Sequence, residues 1–222
     1  MKLVIFDVDG TLVDSQAHIM ASMEAGFSAA NLPVPARQEV LAIVGLSLPL
    51  AMRELARDVD DETIATMVAA YKDAFQAHRL KVGAQASPLY PGAEAAIRRL
   101  GARDDVLLAI ATGKSRRGLK ALMEGWDFAP LFISTQCADD HPSKPHPSMV
   151  MACLAEAGVA AKDAVVVGDT TYDMEMARAA MVAPIGVNWG YHGVDALHAT
   201  GARVVIDTFD ALDGALAQIW RG

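Results

Sequence analysis

Short apolar runs alternate along the chain with longer amphipathic stretches, and the runs lack internal polar alternation. Leu3 to Phe6, Val106 to Ala111, Leu131 to Ser134, Ala164 to Val167 and Val204 to Ile206 read as strands covered on both faces. Pro184 to Val187 is a weaker sixth candidate. Between them, Gly92 to Leu100, Ser148 to Ala157 and Tyr172 to Met181 show helical composition and spacing. Repeated strand–helix units of this kind predict an α/β fold built on a parallel sheet.

One stretch interrupts the alternation. From about Ser15 to about Ser87 no buried strand is found, only Ala-, Met-, Leu- and Glu-rich segments at Ala17 to Ala30, Leu48 to Asp58 and Thr63 to His78. Asn31-Leu32-Pro33-Val34-Pro35 and Val82-Gly83 break or close them. A crossover between parallel strands needs about one helix, so three or more predict a separate helical domain inserted after the first strand. The expected division is a core of residues 1–14 and 86–222 with a helical cap of residues 15–85. Its two connections, near Asp14-Ser15 and around Ala84 to Pro88, would let the cap close over the core as a lid.

Composition narrows the function classes. With 53% hydrophobic and 21% charged residues the chain can bury a sizeable core. A net charge of -8 and a pI near 5.1 give no general attraction to nucleic acid or to an anionic membrane. A bound phosphate must then be held by a few local donors or a metal. No apolar run approaches the roughly 20 residues of a membrane span, and no secretory signal pattern is present, so a cytoplasmic location is expected. Cys137, expected in a loop, and Cys153, expected in a helix, read as reduced thiols. A lone small-molecule ligand, with a monomer or homodimer as the assembly, completes the expectation.

The candidate chemistry sits at the strand ends, where open α/β sheets gather their ligands. Leu3 to Phe6 runs into Asp7-Val8-Asp9-Gly10-Thr11. In extended chain, residues two apart point the same way, so Asp7 and Asp9 can share one side while Val8 points away. The pair alone is equally compatible with turn chemistry. Two later strands change that: Ala164 to Val167 empties into Gly168-Asp169-Thr170-Thr171-Tyr172-Asp173, and Val106 to Ala111 into Thr112-Gly113-Lys114-Ser115. Carboxylates about 6 Å apart repel by roughly 3 kcal/mol at an effective dielectric near 20, so an acidic trio calls for a cation. Oxygen-only ligands suit Mg2+. Lys144, in Ser143-Lys144-Pro145-His146-Pro147, is the candidate partner for phosphoryl charge, held in a rigid frame before a helix start. Thr112 and the Gly113 N–H precede a helix N-terminus, a natural seat for phosphate oxygens. Lys114, Arg116 and Arg117 are read as a solvated cluster. Trp189, Tyr191 and His192 are expected to pack at the core or rim, and His18 and His78 to be structural or surface residues without metal spacing.

The segments FDVDGTLVDS, IATGKS, SKPHP and VGDTTYDM, in this order, resemble the motifs of the haloacid dehalogenase superfamily, in its phosphoglycolate-phosphatase-like branch. The resemblance covers nearly the whole chain. It implies a Rossmann-like core with an inserted helical cap, and Mg2+-dependent hydrolysis of a phosphate monoester. By it, Asp7 is the nucleophile that forms an aspartyl-phosphate, and Asp9 is the acid and base. Asp7, Asp169, Asp173 and the Asp9 carbonyl serve the metal, with Asp173 acting through water or as an outer acceptor. Thr112 and Lys144 bind the phosphoryl group. Gly45, in the Val44-Gly45-Leu46-Ser47 turn, is the first place to look for substrate contacts. An aspartate at position 9 argues for an oxygen leaving group, since a halide needs no proton. A phosphomutase of the same family is the alternative, and a non-catalytic phosphate- or metal-binding protein a more distant one.

Overall fold

Six parallel strands form one sheet in the order β3-β2-β1-β4-β5-β6, described here from a computed structural model covering residues 1–82 and 87–221. They are β1 (Lys2–Phe6), β2 (Val106–Thr112), β3 (Phe132–Cys137), β4 (Ala164–Gly168), β5 (Ala183–Val187) and β6 (Val204–Ile206). β1 lies at the centre, pairing Leu3 to Phe6 with Leu107 to Ile110 on one side and with Ala164 to Val167 on the other.

Period-two alternation divides β1 between two cores. Val4 and Phe6 pack with Ala96, Ile97 and Leu100 of α5 (Ala93–Gly101), Leu119 of α6 (Arg116–Met123) and Leu216 of α10 (Leu212–Arg221). Leu3 and Ile5 face the other way, onto Met149 and Cys153 of α7 (Ser148–Ala157) and Met176 of α8 (Thr171–Ala179). α9 (Val194–Thr200) completes the core, packing on β5 and β6. From Leu3 to Phe6 both faces of β1 are therefore dry, which explains why that run shows no polar positions, while Lys2 at its start is half-buried and pairs with Asp163. At about 1.5–3 kcal/mol for each fully buried Leu, Ile, Val or Phe, this strand is a firm anchor for the turn at its end.

All of the strand and helix segments expected for the core are present. β3 begins and ends later than its apolar run suggested, reaching Cys137. It is one of the two edge strands, and Ile133 on it is 46% exposed, so its pattern is mixed rather than uniformly apolar. Cys137 accordingly closes a strand instead of lying in a loop. Both cysteines are buried free thiols, raised in pKa chiefly by burial.

Among the described residues between β1 and α5 lie four helices: α1 (Gln16–Ala29), α2 (Arg37–Ala42), α3 (Leu48–Leu55) and α4 (Asp61–Val82). They enclose a third apolar cluster containing Ile19, Met23, Phe27, Val40, Met52, Ile64 and Met67. α2 was not foreseen: six residues carry too little periodicity to be recognised. The second proposed connection falls partly on residues outside those described. Among the described residues no helix is long and apolar enough to cross a membrane.

Candidate active site

The carboxyl ends of β1, β2 and β4 open side by side at the point where the chain, having built outward through β2 and β3, crosses back to lay β4 against β1. Asp7 follows β1, Thr112 ends β2, and Asp169 follows Gly168 at the end of β4. Asp7 remains in ladder register, its N–H donating to the Val167 carbonyl at 2.9 Å. Val8 is turned into the core, as alternation requires. Gly10 then takes a φ of +89°, and a Cβ there would stand 2.2 Å from Asp169 Oδ2. Only glycine lets the turn come so close to that carboxylate.

Each acid is held by its own donors. Asp169 Oδ1 accepts from the Thr11 hydroxyl at 2.9 Å and Oδ2 from the Tyr191 N–H at 2.9 Å. Asp173 sits in the first turn of α8, where Thr170 is the N-cap. Its Oδ2 accepts from both the Thr170 N–H (3.1 Å) and hydroxyl (2.7 Å). The Lys144 ammonium bridges the remaining oxygens, donating to Asp7 Oδ1 at 2.7 Å and Asp173 Oδ1 at 2.6 Å. Lys144 is 1% exposed. It is brought there from the segment preceding α7, which starts just after Pro147 as the proline frame suggested.

One oxygen from each of Asp7, Asp169 and Asp173 lies within 4.8 Å of the others, and all three residues are buried. At that spacing each pair of charges repels by about 3–4 kcal/mol at an effective dielectric of 20. Lys144 offsets one of the three. Burial, the strongest influence, pushes the Asp7 carboxyl up to about 7 despite the adjacent ammonium, and like charges at Asp173 and Asp9 push the same way. Asp169 is raised well above the ordinary carboxylate range by burial and by its two acidic neighbours. Lys144 is raised, because the two carboxylates outweigh its own desolvation. Two uncompensated negative charges among oxygen donors fit a divalent cation of the hard class.

Asp9 stands apart from this cluster. Its Oδ1 accepts from the Lys114 ammonium at 2.8 Å, with both side chains largely shielded. Lys114 is thus a buried partner of the site rather than part of a solvated cluster, whereas Arg116 pairs with Asp140 at the surface. The signal was the direction of the strand end: a lysine two residues past Thr112 is carried toward the β1 loop. The Lys114 N–H also donates to Thr112 Oγ1 at 3.2 Å. Trp189 donates to the Thr11 carbonyl at 3.1 Å, and Tyr191 and His192 sit beside it at the rim. Tyr191 does more than pack, since its backbone orients Asp169.

The α1–α4 helices cover these groups. Gly45, at φ +103°, lies against Thr170, and a Cβ on Gly113 would come within 2.5 Å of the Gly45 carbonyl. The Ser47 N–H donates to Ser143 Oγ at 2.7 Å, and the Tyr172 hydroxyl to the Ala42 carbonyl at 3.2 Å. Between the two parts a cleft of about 440 Å³ contains Asp7, Asp9, Gly45, Thr112 and Gly113 in its lining. His18 and His78 lie outside this cleft's lining, as structural residues: His18 is buried, stacked on Phe75 with centroids 3.5 Å apart, and lowered in pKa to about 4 mainly by desolvation.

An acidic, lysine-bridged crevice at the end of a parallel sheet, covered by an inserted group of helices, defines a hydrolase of the phosphoryl-handling α/β type. The chain belongs to the haloacid dehalogenase-like hydrolase family, whose family model matches residues 4–187. It is 37% identical over 218 residues to the "Probable phosphatase IndB" of Dickeya dadantii, covering 96% of this chain and 92% of that protein. It is 30% identical over 224 residues to a phosphoglycolate phosphatase of Pseudomonas savastanoi pv. phaseolicola, covering 97% and 80% respectively. A crystal structure of a hydrolase from Pseudomonas syringae superposes with a TM-score of 0.85 over 99% of each chain at 24% identity, a likeness of fold.

Proposed function

We propose that the protein is a Mg2+-dependent phosphatase of small-molecule phosphate monoesters, working through an aspartyl-phosphate on Asp7. The observation that carries this reading is the pairing of a clustered acidic trio with a single buried ammonium, Lys144, on Asp7. Magnesium, held by Asp7, Asp169 and the Asp9 carbonyl with Asp173 in support, would neutralise phosphoryl charge when bound. Asp7 attacks phosphorus in line as the ester oxygen leaves. Lys144 keeps the Asp7 carboxylate oriented, and Thr112 with the Gly113 N–H receives the phosphoryl oxygens. Asp9 protonates the leaving alkoxide and then takes a proton from the water that hydrolyses the acyl-phosphate. The phosphatase names of the relatives support the same reading. In this reading residues 1–14 and 86–222 form the catalytic core and residues 15–85 the cap, consistent with the separate apolar cluster of α1–α4.

The test is phosphate release from a panel of phosphate esters with Mg2+. Turnover should vanish with EDTA and in Asp7→Asn. Absence of turnover by well-folded protein across the panel would sink the proposal, and isomerisation of β-glucose 1-phosphate without phosphate release would convert it to a mutase.

A further inference from the structure

The cleft is longer and more apolar than phosphoryl binding requires. It runs outward from Asp9 between two helix faces. On α4, Tyr71, Phe75, Gln76, Arg79 and Leu80 line it at helical spacing, and on the opposite side Lys114, Arg117, Gly118 and Ala121 do so. The ten residues of α4 from Tyr71 to Leu80 extend roughly 13 Å. Ile19, Met23, Val44, Leu46 and Leu48 add apolar wall. A volume of about 440 Å³ falls within the range of clefts that enclose ligands much larger than a two-carbon acid.

The disposition of cations points the same way. Arg79 is tied across the slot to the Ala121 carbonyl and to Glu124 at 3.6 Å. Arg117 reaches the Lys72 carbonyl at 3.5 Å. At the inner end, Lys114 is occupied by Asp9 and lies 4.8 Å from the centroid of the Phe75 ring. A short hydroxy acid esterified at the phosphoryl site would bring its carboxylate toward the apolar wall of Phe75, Tyr71 and Met23, where the ammonium over Phe75, that of Lys114, is already engaged by Asp9. Phe75 is itself held in place by its stack on His18, and Tyr71 lies alongside it with centroids 6.0 Å apart. With His18 stacked on its ring and the Lys114 ammonium over it, Phe75 joins Tyr71 as a fixed part of the cleft's apolar wall.

Resting on the phosphatase reading above, we propose that the slot between α4 and α6 takes the leaving group of a phosphate monoester whose alcohol carries a ring or a comparably bulky apolar body. Phosphoglycolate and other short hydroxy-acid phosphates are then poor substrates. Phe75 is the specificity-determining residue, part of the apolar wall against which that body packs.

Two esters with the same kind of alkoxide leaving group isolate the effect: ethyl phosphate and 2-phenylethyl phosphate, assayed with Mg2+. The expected kcat/KM advantage of the phenylethyl ester is on the order of 100-fold, with phosphoglycolate no better than ethyl phosphate. Phe75→Ala should cut the advantage by about tenfold. Ala121→Phe narrows the slot from the facing helix without disturbing the Phe75–His18 stack, and should do the same. Calorimetric binding of 2-phenylethylphosphonate against ethylphosphonate reads the slot independently of turnover. A phosphonate preference without hydrolysis of any ester would uphold the slot and overturn the phosphatase reading. Hydrolysis with equal rates for both esters and equal phosphonate affinities, or phosphoglycolate surpassing the phenylethyl ester, would overturn the slot while leaving the phosphatase standing.

Discussion

Replacing Lys144 by methionine removes one charge and little volume from the most crowded electrostatic point of the molecule. The ammonium is 2.7 Å from Asp7 and 2.6 Å from Asp173, and it is almost wholly buried. Without it, three carboxylates within 4.8 Å of one another have no cation, each pair repelling by about 3–4 kcal/mol at an effective dielectric of 20. Proton uptake relieves part of this, so the net loss should match other broken buried pairs, about 3–5 kcal/mol. For a chain of this length that corresponds to a fall in Tm of about 6–20 °C. The assay is thermal unfolding by circular dichroism at pH 8 in EDTA. The same substitution in an Asp7→Asn, Asp173→Asn background should cost under about 1.5 kcal/mol, because no buried charge is left unpaired. A loss of similar size in both backgrounds would refute the electrostatic account and assign Lys144 a packing role.

Asp7 and Asp169 both titrate above their ordinary value in the folded chain. Between the unfolded pKa of 3.8 and about 7, the folded state therefore binds more protons than the unfolded state. Metal-free stability should fall as pH rises through that window, so the urea midpoint in EDTA is expected to be higher at pH 5.5 than at pH 8; the reverse order would contradict the assigned directions. In Asp9→Asn, kcat/KM for ethyl phosphate should drop by about 10²–10⁴-fold and that for p-nitrophenyl phosphate by much less, since nitrophenolate leaves without a proton; equal losses would remove the acid role. A Cβ on Gly190 would meet Asp169 Cβ at 2.1 Å, so Gly190→Ala should raise the Mg2+ concentration for half-maximal activity by about 10–100-fold, and an unchanged value would detach Tyr191's turn from the metal site.

What could be read from sequence, and what could not, follows from how each group acts. β1, β2 and β4 were legible because both faces of each are buried, so their apolar runs are unbroken and the acids that end them stand out. β3 was misplaced because an edge strand mixes apolar with polar and exposed positions. Asp7, Asp9, Thr112, Lys144, Asp169 and Asp173 all reach the crevice region, since strand ends, the proline-framed segment before α7 and the helix that follows β4 bring them there. Thr11 and the Tyr191 N–H were missed: a backbone donor has no sequence identity, and a threonine after a glycine turn reads as turn chemistry. Lys114 was read as solvated because local helix-dipole reasoning cannot see that Asp9 lies across from it. The aromatic pair of Tyr71 and Phe75 was hidden within an ordinary amphipathic helix, and only its position opposite α6 distinguishes it.

The central claim is that Asp7 itself takes the phosphoryl group. Borohydride reduction of the enzyme during turnover converts an aspartyl-phosphate to homoserine, which peptide mapping by mass spectrometry locates. The account predicts homoserine at position 7, dependent on Mg2+ and substrate. Reduction at another aspartate, or none while hydrolysis proceeds under conditions where phosphorylated enzyme accumulates, would contradict it.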